Sequence, residues 1–209
     1  MKGLIIIPAR KNSKRLKKKN IKILNKKPLI QYTINFAKKI KNTSHIIVST
    51  DDIMVKNLAI KNDLICPWLR PKNLSLDKSK SYSFAKHSIN WFKKNFFKPD
   101  YVILLQPTSP FRSKTTFKKM FSIFKKKKTS ISTFKKINLK KNSKNYIVKP
   151  TGNIFINSTK NILKYKSFIN KQTIKFFTNN KKELIDIDTI SDFKIAKKIL
   201  LTKNKKYKR

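Results

Sequence analysis

Three short apolar runs, Leu4-Ile5-Ile6-Ile7, Ile46-Ile47-Val48-Ser49 and Val102-Ile103-Leu104-Leu105, constrain the fold more than any other feature of the chain. None alternates polar with apolar residues, and each runs straight into a loop carrying Pro, Thr or Asp. A strand wetted on one face alternates. A strand covered on both faces need not, and that is the signature of a parallel strand sandwiched between helices.

The intervals carry helical periods. Ile30, Ile34, Ala37 and Ile40 follow Pro28 at a helix start, and Ala85, Ile89, Trp91 and Phe92 occupy the third interval. From about Ser113, Phe117, Met120, Phe121 and Phe124 recur at i, i+3, i+4 and i+7. Strand, helix, strand, helix predicts an α/β domain with a mostly parallel central sheet flanked by helices. Further strands are expected at 130–134, 153–156, 174–177 and 184–187, and a closing helix carries Phe193, Ala196, Ile199 and Leu200. Residues 135–150, "KKINLKKNSKNYIVKP", show little periodicity and read as a loop. A single domain over 1–202 is expected, with 203–209 a basic, disordered tail.

The 209 residues suffice for a core without staples, and Cys66 is alone, so no disulfide framework or Cys-based zinc site exists. It reads as an inert core residue in a reduced cytoplasm. The apolar run near Met1 is too short for a signal peptide, and no segment approaches the ~20 apolar residues of a membrane span. The net charge of +44 invites a polyanion partner, but lysines outnumber arginines 48 to 5 and are spread along the whole chain. Dedicated nucleic-acid readers lean on arginine forks, so compositional bias explains the charge at least as well.

In open α/β sheets ligands bind beyond the carboxyl ends of the strands. That rule selects residues 8–20, "STDD" at 49–52, "QPTSPFR" at 106–112 and "DIDT" at 186–189. The first loop holds Arg10, Ser13, Lys14, Arg15, Lys19 and Asn20, a mixed donor set suited to a triphosphate. It has no glycine, which excludes a P-loop and a dinucleotide fingerprint. Gln106 projects an amide from a loop stiffened by two prolines. Of nine acids, three are Asp186, Asp188 and Asp192. In a strand, residues two apart point to one face about 6.6 Å along the chain, so Asp186 and Asp188 can converge on Mg²⁺. The bland alternative is that Asp188 or Thr189 caps the last helix. His45 and His87 lack metal-ligand spacing and read as structural.

The segments "IIPARKNSKRLKKKNI", "KPLIQYTI", "IIVSTDD", "LRPKNLSLD", "VILLQPTSPFR", "GNIFI" and "IDIDTISDF", in this order from about residue 3 to 200, resemble the acylneuraminate cytidylyltransferase family, the CMP-sialic acid synthetases and their relatives. The resemblance implies a Rossmann-like nucleotidyltransferase domain that moves CMP from CTP to the anomeric hydroxyl of a nine-carbon 2-keto sugar acid, releasing pyrophosphate. It implies that Arg10, Ser13, Lys14, Lys19 and Asn20 hold the triphosphate, with Arg10 and Lys19 neutralising the leaving group. Arg70 and Ser81 would sit at the cytidine, Gln106 would face sugar or nucleotide, and Asp186 with Asp188 would hold Mg²⁺. The proton acceptor stays open between Asp188 and a hydroxyl acidified by the metal. Partners so implied are CTP and a 2-keto sugar acid, with no membrane and no specific nucleic acid.

Many members carry a longer segment before "GNIFI", with an arginine for the sugar carboxylate and contacts in a homodimer. Here 135–150 is short and has no arginine, and Lys149 could supply charge but not a bidentate fork. An eight-carbon acid such as Kdo, or a non-catalytic nucleic-acid-binding role, stays open as an alternative.

Overall fold

The computed structural model describes residues 1–40, 45–138 and 146–206, the last four by backbone alone. In chain order the elements are β1 (Gly3–Ala9), β2 (Ile23–Leu24), β3 (Lys27–Pro28), α1 (Leu29–Ala37), β4 (His45–Thr50), α2 (Ile53–Lys61), α3 (Ser81–Asn95) and β5 (Tyr101–Leu104). There follow α4 (Lys114–Lys127), β6 (Ile131–Asn138), β7 (Tyr146–Ser158), α5 (Thr159–Tyr165), β8 (Ile174–Phe177) and α6 (Ile190–Lys206).

Six strands form one sheet in the order β4-β1-β5-β7-β6-β8, and β2 with β3 makes a separate small hairpin. Pairing is parallel for β1 with β4, β1 with β5 and β6 with β8, and antiparallel for β7 with both of its neighbours. The three apolar runs are therefore adjacent parallel strands, β1 between β4 and β5, each covered on both faces as their lack of alternation predicts. Ile5 and Ile7 pack toward Ile30 and Ile34 of α1, while Leu4 and Ile6 pack toward Phe84, Ile89 and Phe92 of α3. Each such side chain taken from water contributes roughly 1.5–3 kcal/mol, which is why both faces of β1 resist any polar change. A third cluster joins Leu16, Leu24 and Leu29 to Ile187, Phe193 and Ala196, and so docks α6 against the first loop.

Two expectations are corrected. Residues 135–150 are not a loop: the described parts of this stretch extend β6 and β7, with Ile137 opposite Ile147 and Lys136 opposite Val148. The cross-strand pair Ile137–Ile147 and the ammonium of Lys136 over the Tyr146 and Phe177 rings hold the extension, which lysines disguise in the sequence. Residues 184–187 are not a strand: a 3₁₀ turn covers Lys181–Leu184, and 185–189 run irregularly into α6. Glu183 explains the turn, because it is drawn in toward the start of α4, where Oε1 accepts from the Thr116 hydroxyl at 3.1 Å. The backbone of α6 continues through Lys206, and 207–209 lie outside the described residues.

Candidate active site

Because β1, β4 and β5 are parallel neighbours, the segments that follow them all emerge at one edge. That edge carries a cavity of about 200 Å³ lined by Arg10, Lys19 and Asn20 after β1, by Arg70 and the segment behind it, and by Gln106 and Thr108 after β5. Local chemistry places these groups. Thr50 at the end of β4 donates its hydroxyl to the Ala9 carbonyl, which clamps the exits of β1 and β4 together. In "STDD", Asp52 caps α2 by accepting from the Met54 amide at 2.9 Å, and Asp51 accepts from the Lys11 amide at 2.8 Å. Asn20, buried, donates to the Arg10 carbonyl at 2.9 Å, so its amide shapes the loop that presents Arg10.

Arg70 is buried at 5% exposure, with its Nε donating to Ser75 Oγ at 3.1 Å, a terminal nitrogen 3.7 Å from Asp51, and its guanidinium over the Phe84 ring. Burial pushes its pKa down and the Asp51 carboxylate pulls it back up. Arg112 ties the other side together. Its enclosed guanidinium donates to the carbonyls of Asn153 at 2.6 Å, Ser109 and Gln106, and to the Thr33 hydroxyl at 2.9 Å. Desolvation lowers its pKa to about 9, and the Asp186 charge opposes that. Gln106, held through its carbonyl, rests its Oε1 where a Cβ on Gly152 would stand. Gly152 adopts φ +65°, so both conformation and space there require glycine.

The two aspartates do not converge through strand geometry, yet both face the cleft's lysine side. Asp188 is fully engaged: Oδ1 lies 2.9 Å from Lys19 Nζ and Oδ2 lies 2.6 Å from Arg15. Asp186 is the opposite case, with Oδ1 out of reach of solvent and without a hydrogen-bond partner. Burial raises its pKa, Thr108 hydrogen bonding lowers it, and the Asp188 charge raises it again. Neither aspartate caps α6. Thr189 and Asp192 do so reciprocally: the Asp192 amide donates to Thr189 Oγ1 at 3.2 Å, and Asp192 Oδ2 accepts from the Thr189 amide at 2.8 Å. Of the two expected caps, Thr189 is the one the helix uses, and Asp188 is left free of that role.

Other expected residues fall outside the cleft lining. Ser13 and Lys14 line an adjoining basic hollow, although Lys14 reaches the cleft through Asp77, 2.7 Å from its ammonium. Ser81 opens α3 without lining the cleft, where Ser75 and Ser79 stand instead. Lys149 is exposed and lies opposite Lys135; of the two, it is Lys135 whose charge acts on Asp186 and Asp192. His45 sits among the rings of Phe92, Phe96 and Phe97, and His87 against Trp68, as structural residues. Burial raises the Cys66 thiol to about 11, which keeps it protonated and inert. Sequence reading missed Asp77, Thr108 and Arg112. The scarcity of acids was a signal for the first; nothing local marks the other two.

A cation-lined cleft at the carboxyl edge of a three-layer α/β sheet, with a buried carboxylate beside it, has the make-up of a nucleotidyltransferase. The chain belongs to the acylneuraminate cytidylyltransferase family: the family model described as "Cytidylyltransferase" matches residues 4–207. It is 33% identical over 224 residues to the CMP-N,N'-diacetyllegionaminic acid synthase of Legionella pneumophila, covering 96% of this chain and 97% of that protein. It is 31% identical to the N-acylneuraminate cytidylyltransferase of Escherichia coli over 98% of this chain, but spans about half of that longer relative, 53%. Among solved structures, a CTP complex of CMP:2-keto-3-deoxy-manno-octonic acid synthetase superposes with a TM-score of 0.72 at 14% identity, covering 97% of this chain and all of that one, which shows the shared fold. The chain is accordingly a nucleotidyltransferase enzyme.

Proposed function

We propose that this enzyme transfers CMP from CTP to the anomeric hydroxyl of a nine-carbon 2-keto sugar acid of the sialic or legionaminic type, releasing pyrophosphate. The observation that carries this reading is the end-to-end similarity to the Legionella synthase, 97% of whose length is matched. The cleft supports it chemically. Transfer to a phosphorus centre needs positioning and charge neutralisation more than a covalent nucleophile, and the cleft supplies cations on a rigid frame.

Arg10 and Lys19 are the catalytic cations, stabilising charge as pyrophosphate leaves, with Lys14 and Ser13 extending the cradle. Asn20 acts by holding Arg10. Arg70 belongs at the cytidine end, with Ser75 and Ser79 closer to it than the expected Ser81. Gln106 faces the reacting groups. Asp188, held by Arg15 and Lys19, is the carboxylate paired with the leaving-group cation Lys19 and serves as the catalytic acid/base. Lys135, half-buried on β6, is the cation available to the sugar carboxylate on the aspartate side.

Mg²⁺ fits this donor set. Asp186 offers an unpartnered buried oxygen and Asp188 stands two residues away, and Mg²⁺ commonly takes one or two carboxylates with phosphate oxygens completing its shell. Bound there by Asp186 and Asp188, it would supply charge neutralisation on the nucleotide phosphates. The use of CTP favours a cytoplasmic location, and a homodimer is part of the same reading. No helix among the described residues is long and apolar enough to cross a membrane.

Incubation with CTP, Mg²⁺ and a panel of sialic, legionaminic, pseudaminic and Kdo-type acids tests the reading through pyrophosphate release. Turnover is expected with a nine-carbon acid. Preference for the eight-carbon acid would move the assignment within the class, and no turnover with any acid would reject it.

A further inference from the structure

Asp77 is the one acid among the residues lining the cleft, in a chain with only nine acids against 53 lysines and arginines. Both of its oxygens are occupied by cations of the first loop. Arg10 donates to Oδ1, and the Lys14 ammonium lies 2.7 Å from Oδ2. Hydrogen bonds from Lys14 and Arg10 hold the carboxyl below its ordinary range, so it is anionic at neutral pH. These are two of the donors that a triphosphate needs. A carboxylate and phosphate oxygens cannot share them without bringing like charges into contact.

The segment carrying Asp77 is built to let go. It holds a single 3₁₀ turn, Lys72–Leu74; Ser75 and Ser79 bond within it, to the Pro71 and Asn73 carbonyls, and among the described residues its remaining side-chain hydrogen bond besides those of Asp77 is at its root, where Arg70 Nε donates to Ser75 Oγ. Among the described residues, the pairs with Arg10 and Lys14 are the only ion pairs joining it to the first loop. Asp77 itself is 36% exposed, so water can receive the displaced carboxylate.

We propose that Asp77 is a functional residue of the nucleotide site: an internal anion that neutralises Arg10 and Lys14, yields them to the phosphates of CTP, and recaptures them as pyrophosphate departs. The proposal rests on reading the cleft as the triphosphate site. It answers a problem that a chain of net charge +44 creates, since a cradle strong enough to hold the leaving group also retains the product. Competition by a tethered anion weakens apparent binding by the fraction of time the cations are free.

The test is calorimetric titration of inorganic pyrophosphate, with Mg²⁺ present, into the wild-type chain and into Asp77→Asn, Asp77→Ser and Asp77→Glu. Two exposed ion pairs of ordinary strength predict that Kd falls roughly three- to thirty-fold in the Asn and Ser variants. The Glu variant, which keeps the anion, should stay near wild type. Binding that is unchanged or weaker in both neutral variants overturns the proposal and leaves the triphosphate reading intact. No pyrophosphate binding by the wild type overturns both.

Discussion

Asp186 and Asp188 stand two positions apart and have opposite settings, which makes them separable by experiment. Asp188 spends both oxygens on Lys19 and Arg15, whereas Asp186 keeps one buried oxygen unpartnered. Burial favours the protonated form of Asp186, so the charge a cation needs appears only above a pKa raised from the ordinary ~4. Activity at subsaturating Mg²⁺ should therefore fall on acidification at a higher pH than an ordinary carboxylate would give. Asp186→Asn should lower the rate about a hundredfold and abolish that limb. A limb at the ordinary value, or one that persists in the variant, contradicts the assignment. The sign for stability is reversed: ionising this buried group costs, so its contribution is full below the ordinary ~4 of the unfolded chain and is lost as pH rises from there through the raised folded pKa. Arg112 gives a second test at this scale. Arg112→Met would leave the Gln106, Ser109 and Asn153 carbonyls without their donor, at about 1–3 kcal/mol each, and denaturant unfolding should show a loss of at least ~3 kcal/mol. A loss under ~1 kcal/mol would mean that the fork is not holding the loop.

Helix α6 shows how an element frees a functional residue. Thr189 and Asp192 close its first turn on each other, so the Asp188 carboxylate is left to face Lys19 and Arg15. Burial pushes the Asp192 carboxyl up, but hydrogen bonds from Thr189 and Asp188 outweigh that and hold it below its usual range. Its contribution is thus present at neutral pH and lost only as pH falls through the depressed value. Thr189→Ala should cost about 1 kcal/mol, a shift of roughly 2–4 °C in Tm for a chain of this size, measured by calorimetry at neutral pH. An unchanged Tm would contradict the reciprocal Thr189–Asp192 cap. The elements legible in the sequence were the strands buried on both faces, β1, β4 and β5, and the helices with one long apolar face, α1 and α3 between them and α4 after β5. The outer ends of β6 and β7 were not legible, because a single apolar pair, Ile137–Ile147, set among lysines carries no visible alternation. The short α2 and α5 escaped for a similar reason, each burying only two side chains.

Across the whole molecule the excess of lysine is a background on which the few acids act. The described ion pairs place Asp77 and Asp188 on the first loop, while Asp51 accepts from the Lys11 amide. The site's frame was legible because sheet topology sends three loops to one edge. Its closure was not, because Asp77 reaches Arg10 and Lys14, Thr108 reaches Asp186, and Arg112 reaches Thr33 and Asn153, all contacts distant in sequence. A net charge of +44 repels itself, so Tm should rise between low salt and about 0.3 M, where the Debye length is well under 10 Å. A falling Tm would show that the ion pairs outweigh the repulsion. The central claim is a reaction, and pyrophosphate release with CTP, Mg²⁺ and a nine-carbon 2-keto sugar acid measures it directly. The account predicts sustained release that depends on the sugar acid and is lost in Arg10→Ala and Asp188→Asn. A folded protein that releases no pyrophosphate with any acid of the panel would contradict it.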